Sequence, residues 1–82
     1  MSAQVIVRYF AGAAEAAGVE AEALSADSVG ALRTAMVAQH GPGLAKVLGR
    51  CSLLANGVYV DDAVTPLADG TTVDVLPPFA GG

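Results

Sequence analysis

The sequence has few of the side chains from which disulfides, metal sites and catalytic centres are built. Its 82 residues include one cysteine, Cys51, and one histidine, His40. One cysteine cannot form an internal disulfide, and both residues together fall short of the roughly four ligands of a structural zinc site. We interpret His40 as a helix-end residue and Cys51 as a half-buried small apolar residue. No bound metal or cofactor is expected, and no catalysis by the chain alone.

Long apolar runs and large aromatic side chains are also scarce. The longest run without a charged residue has 12 residues, 34 to 45, whereas a membrane-spanning helix needs about 20 apolar residues. No basic segment precedes an apolar stretch at the start, as a secretory signal would require. The apolar content is dominated by 17 alanines, with no Trp, two Phe and two Tyr. These features predict one small cytoplasmic domain with no membrane segment and a modest core.

Basic residues are missing from the second part of the chain. The net charge is −4, and residues 51 to 82 hold four aspartates, Asp61, Asp62, Asp69 and Asp74, with no Lys or Arg. This balance argues against binding to the phosphate backbone of nucleic acid. It favours a partner with a basic surface, or a solvated acidic face that only keeps the protein soluble.

The first half of the sequence predicts two strands and a main helix. Residues 4 to 10 alternate between two mostly apolar faces, as in a central strand. A short helix is predicted over Ala11 to Ala17, before Gly18, and a weak strand over Val19 to Leu24. The main helix is capped by Ser28 and ends at Gly41-Pro42. Its apolar positions follow helical spacing and are Val29, Leu32, Met36 and Val37.

The second half predicts short strands joined by turns. Leu44 to Leu48 predicts a further helical turn, and Asn56-Gly57 predicts a hairpin between strands at Cys51 to Ala55 and Val58 to Val60. A last strand covers Thr72 to Leu76 and stops at Pro77-Pro78, because proline has no N–H for the ladder.

This order of elements is typical of an α+β domain with a ubiquitin-like β-grasp fold, in which one main helix packs across a mixed sheet. The domain is predicted to cover residues 1 to 76, and residues 77 to 82 form an extended C-terminal tail. One sheet face packs under the helix. The other is expected to stay partly exposed as a docking surface.

The tail, Pro77-Pro78-Phe79-Ala80-Gly81-Gly82, is the main candidate for function. Two prolines favour an extended conformation, and six residues reach about 20 Å. Gly81 and Gly82 have no Cβ, so the backbone can pass through a narrow channel and bring a carboxylate to another protein's active site. A carboxylate must first be activated, for instance by adenylation, before a nucleophile attacks it. The alternative is a frayed terminus without function.

Several segments together resemble the ThiS and MoaD family of sulfur carriers, and within it the small subunit of molybdopterin synthase. The matching segments are residues 5 to 11, Ser28-Val29, Ala55-Asn56-Gly57, Val60-Asp61, Pro66-Leu67, Asp69-Gly70 and residues 75 to 82. The resemblance implies that a MoeB-like activating enzyme adenylates Gly82 with ATP and that a sulfur donor converts it to a thiocarboxylate. Gly81 and Gly82 would be the reacting end, and Pro77, Pro78, Phe79 and Ala80 would contact partners. The sulfur would pass to cyclic pyranopterin monophosphate in a MoaE-like large subunit.

Two other hypotheses stay open. The same tail suits a carrier for thiazole or cysteine synthesis, or a modifier joined to proteins through an isopeptide bond. A β-grasp module that binds partners through its sheet, without covalent chemistry, is the third hypothesis.

Overall fold

The computed structural model describes residues 3 to 78, which form a five-stranded sheet with three helices. The strands are β1 (Gln4–Tyr9), β2 (Ala21–Ser25), β3 (Ser52–Ala55), β4 (Val58–Val60) and β5 (Thr72–Leu76). The helices are α1 (Gly12–Ala17), α2 (Val29–His40) and α3 (Pro42–Leu48). None of the helices in this part of the chain is long and apolar enough to span a membrane.

The sheet is mixed, with strand order β2-β1-β5-β3-β4. β1 and β5 run parallel, with Val7 opposite Val73 and Tyr9 opposite Val75, and the other three pairings are antiparallel. The predicted ubiquitin-like β-grasp fold is confirmed. β5 lies in the middle, so the strand that precedes the tail is held by a neighbour on each side.

The core lies between the helices and one face of the sheet. In β1 the residues that alternate inward are Val5, Val7 and Tyr9, as the sequence pattern predicted. They are buried against residues of all three helices and of β3 and β5, namely Ala13, Ala17, Val29, Leu32, Met36, Leu44, Leu48, Leu53, Val73 and Val75. One continuous core therefore holds the sheet and helices together.

α2 begins and ends as predicted. The Ser28 hydroxyl accepts a hydrogen bond from the backbone N–H of Ala31 at 3.2 Å, and the N–H of Gly41 donates to the carbonyl of Val37 at 2.7 Å. Leu44 to Leu48 was predicted as one turn, whereas the structure has a seven-residue helix from Pro42. Gly41 has φ 85° and separates α2 from α3. Because proline suits the first helical position, Gly41-Pro42 both ends one helix and begins the next.

Turn residues also determine where the β3–β4 hairpin turns and where β2 begins. Asn56 and Gly57 both have positive φ, 48° and 84°, which is the conformation of the two-residue hairpin predicted between β3 and β4. β2 begins two residues later than predicted, at Ala21, because the chain is still turning after Gly18, whose φ is 78°.

Candidate functional site

The base of the predicted tail leaves the sheet at its centre. β5 ends at Leu76, which pairs with Ser52 of β3. Pro77 is half-buried and Pro78 is exposed. Phe79, Ala80, Gly81 and Gly82, which the sequence predicts as contact and reacting residues, lie outside the described residues. The structure therefore places the two prolines and the surfaces around them.

One of these surfaces is the outer face of the sheet, which the helices leave uncovered. It carries Ile6 and Arg8 of β1, Asp74 and Leu76 of β5, Leu54 of β3 and Tyr59 of β4. Ile6 is 40% exposed and Tyr59 60% exposed. Phe10, just after β1, is 39% exposed and lies at the same end of the sheet as the tail base, since its N–H donates to Val75. The predicted exposed face is thus present and carries apolar side chains of the kind that interface centres use, and its role in docking stays a prediction.

The charges in the middle of this face neutralise each other. Arg8 and Asp74 are opposite each other on β1 and β5, and the guanidinium donates two hydrogen bonds to the carboxylate, at 2.6 and 2.9 Å. The hydrogen bond to Asp74, with the charge of that carboxylate, raises the pKa of Arg8. Arg8 also lies 5.7 Å from the centre of the Phe10 ring. An exposed pair of this kind adds little to stability, so its main effect is to hold both side chains in place on the face.

The second surface is a groove beside the two prolines, which we call the tail-base groove. It is lined by Lys46, Val47, Arg50, Pro77 and Pro78 and has a volume of about 450 Å³. Lys46 lies on α3, and Arg50 follows this helix in a turn where its N–H donates to the carbonyl of Val47 at 3.0 Å. Both basic side chains belong to exposed residues, and none of the described residues that line the groove is acidic.

His40 lies in a partly buried polar cluster with Glu22 and Tyr9. Its Nε2 is 2.5 Å from Oε2 of Glu22, and the hydroxyl of Tyr9 donates to the same oxygen at 2.6 Å. The Tyr9 and His40 rings meet edge to face, with centroids 5.8 Å apart. Burial, followed by the hydrogen bond to Glu22 and the charge of this carboxylate, raises the pKa of Tyr9. The cluster joins β1, β2 and the end of α2, which agrees with the structural interpretation of His40.

Sequence analysis missed this cluster, although a weak signal was present. Glu22 and Leu24 are the partly buried residues of β2, and Ala21 and Ala23 point outward. The alternation already placed Glu22 on the same face as Leu24. An acid beside a leucine on one strand face is unusual enough to suggest a buried partner.

Cys51 is also structural. Its thiol donates to the carbonyl of Val47 at 3.2 Å, and the residue is half-buried. Burial raises the pKa of this thiol, and the charge of Arg33 opposes the effect only in part. A raised pKa keeps the thiol protonated at neutral pH, so Cys51 lacks the character of a nucleophile.

The fold and the tail base define the class of ubiquitin-like β-grasp proteins. Residues 7 to 82 match the model of the ThiS family, and the chain belongs to this family. It is accordingly a sulfur carrier or ubiquitin-like modifier of the ThiS and MoaD type, as the resemblance implied. Among curated protein sequences none matches the chain at a significant level.

Solved structures of similar proteins include carriers and modifiers. Small archaeal modifier protein 1 from Methanosarcina acetivorans is 27% identical with a TM-score of 0.86, and the match covers 100% of this chain and 99% of that one. Subunit 1 of the molybdopterin-converting factor of Helicobacter pylori, solved in complex with subunit 2, is 33% identical with a TM-score of 0.73, covering 96% and 99%. A putative molybdopterin-converting factor subunit 1 from Pyrococcus furiosus is 27% identical with a TM-score of 0.79, covering 94% and 99%.

Proposed function

We propose that the chain carries sulfur as a thiocarboxylate on Gly82 and serves as the small subunit of a molybdopterin synthase. The observation that carries the proposal is the position of the tail base, which leaves the central strand next to an uncovered apolar sheet face. A rigid exit beside a docking face is what a tail needs if it is to enter another protein's active site while the domain stays outside.

The chemistry proceeds in three steps. A carboxylate oxygen of Gly82 attacks the α-phosphorus of ATP on a MoeB-like activating enzyme, forming an acyl adenylate and releasing pyrophosphate. The terminal sulfur of a persulfide on the sulfur donor then attacks the carbonyl carbon and AMP leaves, which gives an acyl disulfide. A thiol reductant cleaves the S–S bond of this acyl disulfide, forms a disulfide with the donor and releases the thiocarboxylate, in which one sulfur has replaced one oxygen. Gly81 keeps the end of the tail slender, and Pro77, Pro78, Phe79 and Ala80 contact the partner.

The molybdopterin pathway is favoured by one of the structural relatives. The Helicobacter pylori protein is a subunit of a molybdopterin-converting factor in complex with a second subunit. We propose a matching MoaE-like large subunit for this chain, in which the sulfur passes to cyclic pyranopterin monophosphate. Thiazole or cysteine synthesis would use the same loaded tail with a different acceptor.

A second candidate function is protein modification. It is favoured by the match to small archaeal modifier protein 1, which covers 100% of this chain. The activated Gly82 would then be attacked by a lysine amine of a target protein, forming an isopeptide bond and releasing the activating group. A third candidate, a binding module without covalent chemistry, predicts that the tail is dispensable.

The test of carrier chemistry is the intact mass of the protein after incubation with its activating enzyme, ATP, a sulfur donor and a thiol reductant. Replacing one oxygen by sulfur adds about 16 Da. A variant lacking Gly82, and one with an added C-terminal alanine, are expected to stay at the unmodified mass. If the wild-type protein gains no mass while the enzyme loads another carrier, the binding module becomes the better explanation.

The acceptor is tested with the loaded protein. Molybdopterin formation after addition of the large subunit and cyclic pyranopterin monophosphate supports the synthase. Adducts of the chain with lysines of other proteins, without molybdopterin formation, support the modifier instead.

A further inference from the structure

The tail-base groove is positively charged although the protein as a whole is acidic. The net charge is −4, with only four basic residues. Arg8 is paired with Asp74, whereas Lys46 and Arg50 form no ion pair with any residue in the range 3 to 78. Two of the four basic residues therefore form no ion pair within the described part of the chain and lie together beside the two prolines.

The groove is also partly apolar. Val47 is half-buried between the two basic positions, and Pro77 and Pro78 form the other side. Stems of lysine and arginine add further apolar surface while their charges reach the solvent. An occupant that fits this groove has negative charges on either side of an apolar side chain.

The position of the groove limits what this occupant is. Six residues, 77 to 82, reach up to about 20 Å when fully extended, so phosphates of a nucleotide at the tip of an extended tail would be too far away to reach Lys46 and Arg50. Nucleic acid is disfavoured by the net negative charge of the rest of the protein. What lies beside the tail base when the tail is inserted is the rim of the channel that receives it.

We propose that the tail-base groove binds an acidic segment, with an apolar side chain among its carboxylates, on the rim of the activating enzyme's channel. The proposal rests on the proposed function. It reverses the sign expected from the acidic second half of the sequence, because Lys46 and Arg50 come from the first half and the fold brings them to the tail base. The segment would position the domain while the tail reaches the ATP site.

The first test compares two double variants in ATP–pyrophosphate exchange by the cognate activating enzyme. Lys46→Gln/Arg50→Gln and the control Ala31→Glu/Gln39→Glu both lower the net charge by two, but the control changes exposed positions of α2 outside the groove. Loss of two exposed ion pairs is expected to raise KM for the carrier about three- to tenfold, with kcat nearly unchanged. The control should keep the wild-type KM.

Charge and shape are separated by a third variant. Lys46→Arg/Arg50→Lys keeps both charges and should keep KM close to the wild-type value. The wild-type KM should rise with added salt more steeply than that of Lys46→Gln/Arg50→Gln. The proposal is overturned if KM is unchanged for Lys46→Gln/Arg50→Gln, which we call the groove variant, or if KM rises equally for the α2 control. Thiocarboxylate formation by the wild-type protein would still support the proposed function in either case.

A second measurement does not depend on carrier chemistry. A peptide with four glutamates around one leucine is added to the labelled protein, and amide shifts are followed by NMR. Shifts at positions 46, 47 and 50 of the wild-type protein support the proposal if they are absent with a matched lysine peptide and absent at the same positions of the groove variant. No shifts at these residues, or equal shifts with both peptides, overturn it even if the activating enzyme is inactive. If Lys46→Gln/Arg50→Gln weakens binding to the large synthase subunit but not to the activating enzyme, the choice of partner is overturned.

Discussion

Gly30 shows how a contact with a residue far away in the sequence can require glycine at one position. It occupies the first turn of α2, where glycine costs about 1 kcal/mol relative to alanine. A Cβ at this position would lie 3.1 Å from both the Cβ and the carbonyl oxygen of Ala63. The same carbonyl accepts a hydrogen bond from the Gly30 N–H at 2.9 Å. The sequence showed the cost of this glycine, but the reason for it depends on a loop 33 residues further on.

We expect Gly30→Ala to lower the free energy of unfolding by about 1 kcal/mol, because the close contact outweighs the gain in helix propensity. Gly43→Ala is the matched control, since a Cβ at that helical position meets nothing within 4 Å. It should be neutral or stabilise the protein by up to about 1 kcal/mol. Urea unfolding of both variants measures the difference. A stabilised Gly30→Ala protein would show that the Ala63 loop yields without cost.

Among the elements, the edge strand β2 depends on a polar contact more than its neighbours do. Most of its residues are small or exposed, and its inward side carries Glu22 and Leu24. Glu22 receives hydrogen bonds from Tyr9 of β1 and, through Nε2, from His40 at the end of α2. An inward-facing charge at an edge also discourages pairing with other chains. The cluster therefore positions this strand where apolar packing is thin.

Tyr9→Phe is expected to lower the free energy of unfolding by about 1 to 2 kcal/mol at pH 8, since it removes a hydrogen bond to a charged group. The raised pKa of Tyr9 in the folded state also predicts a pH effect. Its stabilising contribution is complete below the unfolded pKa of about 10 and is lost as pH rises further, because the unfolded chain then releases the proton more readily.

Unfolding in urea at pH 8 and pH 10.5 measures both effects. The wild-type protein should lose more stability between the two pH values than Tyr9→Phe does. Tyr59→Phe, on the exposed outer face, is the control for loss of a hydroxyl and should behave like the wild-type protein. Equal losses in all three proteins would show that Tyr9 does not carry the alkaline dependence.

The elements differ in how well their sequences predicted them. β1 and α2 were predicted closely because their apolar residues repeat at the strand and helix periods over at least six residues. The hairpin was predicted from Asn56-Gly57, whose positive φ values few other residue pairs adopt. α3 was underestimated, because its seven residues hold two glycine or proline positions and only two buried leucines. β2 has too few apolar residues for its start to be located.

At the scale of the whole molecule, the tail and the tail-base groove also differed in how well the sequence predicted them. The tail is local in sequence, so its prolines and glycines could be found directly. The groove joins residues 46 to 50 with residues 77 and 78, and it depends on how α3 packs beside the end of β5. Counting charges along the sequence does not show which distant residues the fold brings together, so the positive surface was not predicted.

Because the tail lies outside the core, we expect that the chemistry of the tail and the stability of the domain can be changed independently. The described core residues all lie between Val5 and Val75. Deleting Gly81 and Gly82 should therefore change the free energy of unfolding by less than about 0.5 kcal/mol, while thiocarboxylate formation is lost. Val75→Ala, in the central strand, should cost about 2 kcal/mol yet still load sulfur under conditions where it is folded. Urea unfolding and intact mass on the same samples check both results, and a strongly destabilised deletion would contradict this division.

The central position of β5 has a consequence for how the protein is made. β1 and β3 do not pair with each other, and each uses β5 as its neighbour. While the ribosome has not yet released residues 72 to 76, the two halves of the sheet have no shared strand, and contacts between distant parts of the chain form late. An incomplete chain left by interrupted translation keeps open strand edges of the kind that invite aggregation and proteolysis. Completing the fold and presenting the tail base are thus the same event in synthesis.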